Sequence, residues 1–247
     1  ASPDEERKAR IALVGAGWWG QGFTLPHLSR NKLATITAII ESSPHPKSTL
    51  KSDMKSTKEL GEMYSAPVFD NIDAFLASDA AKSTDGVIIA TNHATHNSVG
   101  MKVMKAGYHV LMEKPMTTDV QEARELMEQA AKSDKIFMVN NTANYRDHAK
   151  TAHDLVKAGE VGKVLYVNCA MYTALQWLLE DKQNVGWWKP TGSMLGNGFA
   201  WGQLSHTFAW VYLVTDLEPE SVVCHMQHSE KTGADIYDSA IIRCKGG

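Results

Sequence analysis

The first half of the chain alternates short apolar runs with segments of helical period. Ile11–Val14, Ala34–Ile40, Val68-Phe69, Gly86–Ala90, Tyr108–Met112 and Ile136–Val139 read as strands. They are rich in β-branched residues and show little polar alternation, which predicts a parallel sheet covered on both faces. Helices are predicted near Thr49–Gly61, over Ile72–Leu76 behind Asp70 or Asn71, over Ser98–Ala106 and over Val120–Lys132. The last is the clearest. Val120, Ala123, Leu126, Met127, Ala130 and Ala131 keep a 3.6-residue period, and Asp119 with Glu122 offers a capping box.

The pattern changes after that. A helix near His148–Ala158 ends at Gly159, a natural C′ residue. Val161–Tyr172 has strand composition. Thr173–Ala200 is long, rich in Trp and Gly, and nearly without period, the mark of a functional or disordered loop. Trp201–Val214 reads as a helix. Ser221–Ser229 and Asp235–Cys244 read as strands joined by a turn at Lys231-Thr232-Gly233. The expected fold class is therefore α/β: a doubly wound parallel sheet over residues 1–141, then an α+β domain with an open mixed or antiparallel sheet over 142–247. No repeat or low-complexity segment is present.

Composition adds mainly exclusions. Over 247 residues, 25 Lys+Arg stand against 28 Asp+Glu, a formal net charge of −3. That balance, with no dense basic run, gives no reason to expect nucleic acid as a partner. The strongest apolar stretch, Phe208–Val214, falls far short of the roughly 20 residues that span a bilayer, so no membrane role is expected. Cys169, Cys224 and Cys244 are odd in number and widely spaced, which argues against a disulfide scaffold and for a reducing, cytoplasmic setting. The chain begins Ala1-Ser2-Pro3 without Met, so a segment upstream, targeting or otherwise, is expected to have been removed or left out. It ends on a strand running into Gly246-Gly247, which predicts a further strand and a natural protein longer by on the order of a hundred residues.

The first candidate chemistry lies in Gly15-x-Gly17-x-x-Gly20, directly after a predicted strand and before a helical region. Gly15 permits the tight turn, Gly17 lets the backbone approach a pyrophosphate, and Gly20 permits close packing. The following helix N-terminus favours an anion. In this context the spacing marks a dinucleotide-binding Rossmann domain. Glu41 closes the next strand, 21 residues after Gly20, where a carboxylate accepts from a ribose 2′-OH and repels a 2′-phosphate. That favours NAD. Ser42, Ser43 and Lys47 follow and can hold a 2′-phosphate, which keeps NADP open. Pro26 interrupts the helix after the fingerprint and is expected to split or displace it. Trp18 and Trp19 are bulky choices inside the fingerprint. They line the cofactor cleft or pack beneath it.

Glu113-Lys114-Pro115 follows the strand Tyr108–Met112, at the carboxyl edge where open α/β sheets bind ligands. Pro115 fixes the backbone there and can do so through a cis bond. The glycine fingerprint, Val87–Thr91 followed by His96, Glu113-Lys114-Pro115, Asn144-Tyr145-Arg146 and Gly159-x-x-Gly162 occur in this order. Together they make the chain resemble, over nearly its whole length, the glucose–fructose oxidoreductase / inositol dehydrogenase / rhizopine-catabolism (Gfo/Idh/MocA) family of NAD(P)-dependent oxidoreductases.

The resemblance implies an N-terminal NAD(P)-binding domain and a C-terminal domain that binds substrate and forms homo-oligomers through its sheet. Substrates would be sugars, cyclitols or their derivatives. It implies that Lys114 binds and polarises the reacting hydroxyl and that His206, in Gly202-Gln203-Leu204-Ser205-His206, transfers the proton. Gly202 stands where the family usually has Asp, and Leu204 where it has Gly. A protein that binds dinucleotide as a sensor or scaffold without catalysis is therefore an alternative. Reduction of a different substrate, such as an imine, is a third reading, to be marked by an apolar cleft.

The cofactor set comprises Gly15, Gly17, Trp18, Trp19, Gly20, Glu41, Ser42, Thr91, Asn92, His96, Glu113 and Lys114. The substrate set comprises Lys114, Tyr145, Arg146, Trp188, Gln203 and His206. Trp187-Trp188-Lys189 offers aromatic faces for a sugar ring or burial of a loop or oligomer contact. His93 and His96 have no Cys or carboxylate cluster beside them, so no metal is expected.

Overall fold

A computed structural model of the protein describes residues 7–48, 50–184 and 197–245. The chain divides into two compact units, Ala1–Val139 and Asn140–Gly247.

The first unit is a parallel sheet. Its strands are β1 (Ala9–Val14), β2 (Ala34–Ile40), β3 (Val68–Phe69), β4 (Gly86–Ile89), β5 (His109–Met112) and β6 (Phe137–Val139). Among the described residues they lie in the order β3-β2-β1-β4-β5-β6. The strand order reverses beside β1, which creates the crevice where doubly wound sheets bind ligands. Register places the active edge: Val14 pairs with Ile40 and with Ile89, and Ile89 pairs with Met112. The residues just beyond those four, Gly15, Glu41, Ala90 and Glu113, therefore share one edge of the sheet.

Strand side chains alternate between two buried cores. Ala12, Val14, Ile40, Val87, Ile89, Val110 and Met112 face helices α3 (Ile72–Leu76), α5 (His96–Lys105) and α6 (Val120–Ala131) through Phe75, Val103 and Leu126. Leu13, Ile39 and Ile88 face α1 (Leu25–Arg30) and α2 (Thr57–Tyr64) through Leu25 and Leu60. A short α4 (Asp79–Lys82) precedes β4.

Capping chemistry sets several boundaries. The helix expected near Thr49–Gly61 starts only at Thr57, because Ser56 and Glu59 form a capping box there. Asn71, rather than Asp70, opens α3 by accepting from the Ala74 N–H. Asp119 caps α6 by accepting from Gln121 and Glu122. The reciprocal half of the expected box, from Glu122 back to the Asp119 N–H, does not form.

The second unit carries α7 (Asp147–Lys157), α8 (Gln176–Leu179) and α9 (Ser205–Thr215). α7 packs against α9. β7 (Pro219–His228) and β8 (Asp235–Cys244) pair antiparallel. Val161–Tyr172, expected as a strand, forms no ladder. A strand needs an open partner, and among the described residues β7 and β8 pair only with each other. Leu165, Tyr166 and Tyr172 consequently remain 80%, 81% and 93% exposed. No helix among the described residues is long and apolar enough to cross a membrane.

Candidate cofactor and active site

The glycine turn is built as its spacing predicts. Gly15 donates its N–H to the Ile40 carbonyl at 2.8 Å and holds a φ of +93°. A Cβ there would also lie 2.5 Å from the Ala90 carbonyl oxygen. A Cβ on Gly20 would come within 2.2 Å of the Gly15 carbonyl oxygen, so Gly20 is required by the turn closing on itself rather than by helix–strand packing alone. Gly17 differs: a Cβ there would meet nothing within 4 Å. Its openness is room on the ligand side, and the turn fits a pyrophosphate.

Around Pro26 the helix after the fingerprint is divided into two helical pieces, as expected. Gly20–Thr24 is a π-helical turn, in which the Leu25 N–H bonds to the Gly20 carbonyl, and Pro26 enters in the first turn of α1. The wider turn absorbs the proline without a broken hydrogen bond in a regular helix. Phe23 stacks on Trp19, with ring centroids 4.3 Å apart. Trp18 meets both rings edge-on.

Glu41 turns back onto the fingerprint. One carboxylate oxygen accepts from the Ala16 N–H at 2.8 Å, the other from the Ser43 N–H at 3.0 Å and from the Ser42 hydroxyl at 3.4 Å. Sequence reasoning missed Gln21. Its buried amide donates to the carbonyls of Ala16 and Lys55 and accepts from the Lys55 N–H at 3.0 Å. It thereby fastens the segment before α2 to the glycine turn. A lone Gln after a glycine fingerprint carries no sequence signal for such a role.

At the next two strand ends the site becomes cationic and partly dehydrated. Trp19 donates its indole N–H to a Glu113 carboxylate oxygen at 2.7 Å, and Glu113 is buried. Lys114 follows, joined to Pro115 by the cis bond. Burial lowers the Lys114 pKa, and the Glu113 charge opposes that shift. His93, in the 3-10 turn His93–Thr95 after β4, is pushed well below its usual pKa by burial and then by the charges of His96 and Lys114.

His96 is fully buried, so it cannot itself touch a cofactor. Its Nδ1 lies 2.8 Å from the Pro115 carbonyl and its Nε2 lies 3.3 Å from the Thr91 carbonyl. Burial lowers its pKa, and the surrounding carbonyls oppose this. The neutral ring with its proton on Nδ1 suits the shorter contact. His96 therefore clamps the two turns together. Asn92 is exposed, and its side-chain and backbone oxygens accept from the Thr95 hydroxyl.

In the second unit, His206 is the second residue of α9, directly after the π-helical segment Ala200–Leu204 that carries Gly202 and Gln203, and about one turn past Gly202. Gly202 is buried, yet among the described residues a Cβ on it would meet nothing within 4 Å. Tyr145 ends the 3-10 turn Thr142–Tyr145 and is 58% exposed; Arg146 beside it is exposed too. Asn144, in the same turn, donates to the Ala209 carbonyl of α9 at 3.4 Å. Trp188 lies outside the described residues. No group of three or more His, Cys, Asp or Glu that could hold a metal occurs among the described residues.

The description "Oxidoreductase family, NAD-binding Rossmann fold" matches residues 9–141, and "GFO/IDH/MocA C-terminal domain" matches residues 149–247. The chain belongs to the Gfo/Idh/MocA family. An inositol 2-dehydrogenase of Rhodococcus erythropolis is 28% identical over 67% of this chain and 45% of its own length. A glycosyl hydrolase family 109 protein of Shewanella amazonensis is 26% identical over 74% of this chain and 39% of its own. The chain thus spans about half the length, or less, of these relatives. A myo-inositol 2-dehydrogenase structure from Lactobacillus plantarum shares the fold, with TM-score 0.74 and 16% identity over 97% of this chain and 67% of its own. The family assignment accords with the Rossmann architecture, the cofactor class and the α/β fold expected from sequence.

Proposed function

We propose that the protein is an NAD-dependent oxidoreductase that moves hydride between the nicotinamide and a hydroxyl or carbonyl of a sugar, cyclitol or related polar substrate. The observation that carries this reading is the common sheet edge. One row of strand ends holds a glycine turn open at Gly17, a carboxylate at Glu41 and a desolvated ammonium at Lys114.

In this reading the turn from Gly15 to Gly20 holds the pyrophosphate and Glu41 the adenosine ribose. Glu41 favours NAD over NADP because a carboxylate repels a 2′-phosphate. When bound, a nicotinamide ring supplies the hydride acceptor. Lys114 donates a hydrogen bond to the substrate oxygen and stabilises negative charge as it develops there. His206 takes the hydroxyl proton as the C–H hydride leaves and the carbonyl forms. Tyr145, Arg146, Trp188 and Gln203 are the proposed substrate contacts. Free Cys169 and Cys224 at the surface fit a reducing, cytoplasmic setting. The exposed β7–β8 pair is the proposed surface for self-association.

Relatives named as dehydrogenases favour an enzyme over a sensor, and one named as a glycosyl hydrolase widens the substrates worth testing. The test is NADH formation from a panel of sugars, cyclitols and glycosides. Lys114→Ala and His206→Ala should each lower kcat/KM by about a hundredfold or more. Wild-type kcat/KM in both variants overturns the reading.

A further inference from the structure

Trp19 belongs to the glycine fingerprint and Glu113 to the Glu-Lys-Pro element, yet their side chains meet through one short charge-assisted hydrogen bond of 2.7 Å. The bond is held from both sides. Phe23 stacks on the indole at 4.3 Å and Trp18 packs on its edge, so the ring cannot turn without breaking the aromatic cluster. Trp19 and Phe23 are four residues apart, a spacing that puts both on one face of the helical turn. On the other side, Glu113 is buried and its N–H is fixed to the Ile89 carbonyl at 2.9 Å.

We propose that Trp19 is a positioning residue for Lys114: its indole N–H holds the Glu113 carboxylate and so sets how much of that negative charge the Lys114 ammonium feels. The inference rests on the role assigned to Lys114 above. The electrostatics around Lys114 make the link consequential. Among the described residues, the charged and titratable groups that act on it are Glu113 beside it and His93 from the turn after β4, with His96 behind His93. Burial favours the neutral amine, and Glu113 is the charge that opposes it. A donor that neutralises part of Glu113 therefore acts directly on Lys114. The cofactor-binding turn and the reactive lysine become one electrostatic unit, which the separation of 94 residues between Trp19 and Glu113 conceals in the sequence.

The test uses the full chain and two readouts. The first is the Lys114 titration, followed by NMR after reductive ¹³C-methylation, with Lys114→Arg to assign the resonance. The second is the pH profile of kcat/KM. Trp19→Phe keeps the stacking ring and removes the N–H, while Glu113→Gln keeps an acceptor and removes the charge. Trp19→Phe should move the Lys114 titration and the alkaline limb of the profile upward by about half a pH unit or more. Glu113→Gln should move both downward, and the double variant should follow Glu113→Gln alone. Unchanged titration in Trp19→Phe, or an equal upward shift when Glu113 is already Gln, overturns the proposal. If Trp19→Phe does not fold, the NMR shift in Trp19→Met, which also lacks the donor, decides in the same way. The NMR shift without turnover on any substrate upholds the Trp19–Glu113–Lys114 link and sinks the dehydrogenase reading instead.

Discussion

The Glu41 carboxylate reaches back from the end of β2 to accept the Ala16 N–H at 2.8 Å. The side chain expected to choose between cofactors is thus also a strut of the glycine turn. Two effects follow from its removal. Glu41→Ala should weaken NADH binding by about tenfold, since a charge-assisted hydrogen bond and a ribose contact are both lost. NADPH binding should change less, because a repulsive carboxylate disappears at the same time. Cofactor titration by fluorescence checks this, and unchanged NADH affinity would remove Glu41 from the cofactor set.

His96 gives the first unit a pH dependence of defined sign. Its folded pKa is lowered by burial, while an unfolded histidine titrates near 6.5. Below about 6.5 the unfolded chain takes up a proton that the folded ring resists, so stability falls as pH falls. His96→Gln should lower Tm at neutral pH by a few degrees, because the clamp on Pro115 and Thr91 is weakened. It should also flatten the decline in Tm between about pH 7.5 and 5.5, a comparison that separates the titration from simple loss of packing.

Local chemistry made most of the first unit legible. Apolar runs separated by caps gave the strands, and β2 runs Ala34–Ile40 as the pattern alone predicts. The glycine fingerprint and Glu-Lys-Pro were readable because each residue answers a local backbone or charge requirement. Gln21, the Trp19–Glu113 bond and the clamp by His96 were not, since each depends on which strand ends become neighbours. Register decides that, and no short sequence window contains it. Val161–Tyr172 shows the converse. Its composition suits a strand, but a ladder is a property of two segments, and the described residues supply no second one.

Two glycines near His206 should respond oppositely to substitution. A Cβ on Gly198 would lie 2.4 Å from both the N and O of Asp235, whose carboxylate also accepts from the Gly198 and Ala200 N–H groups. Gly198→Ala should therefore destabilise the second unit markedly. Among the described residues a Cβ on Gly202 meets nothing within 4 Å, so Gly202→Asp should disturb the fold far less than Gly198→Ala. It would place a carboxylate about one helical turn from His206, and a nearby anion favours the protonated imidazole. The acid limb of kcat/KM should then move to higher pH. Circular dichroism melts and pH–rate profiles of the two variants check both halves; a folded Gly198→Ala or an unmoved limb in Gly202→Asp would contradict them.

On β7 and β8, Val223 and Ile241 are direct cross-strand partners, 75% and 79% exposed. Tyr237 lies on the same face, opposite Gln227. Exposed apolar pairs on a two-stranded sheet favour association with another edge or face. Val223→Lys combined with Ile241→Glu keeps the strands paired through opposite charges and removes the apolar face. Sedimentation should show less self-association in the double variant than in the parent chain at equal concentration. An unchanged mass distribution would place any self-association elsewhere.

Asp238 gives the second unit a pH slope opposite to that of His96. Burial first, and then the neighbouring Asp235 charge, push its carboxyl up to about 6. An unfolded aspartate titrates near 3.9. Between about pH 4 and 6 the folded state holds a proton that the unfolded state has released, so stability falls as pH rises through this window and stays reduced above it. Asp238→Asn removes the ionisation while preserving shape. It should raise the Tm of the second unit by a few degrees at about pH 7.5, with the gain shrinking toward pH 4. Because His96→Gln acts at neutral pH in the other direction, melts of the two variants across the same pH series assign each slope to its own residue. A gain in Asp238→Asn that stays constant from pH 4 to 7.5 would show that Asp238 stays ionised in the fold.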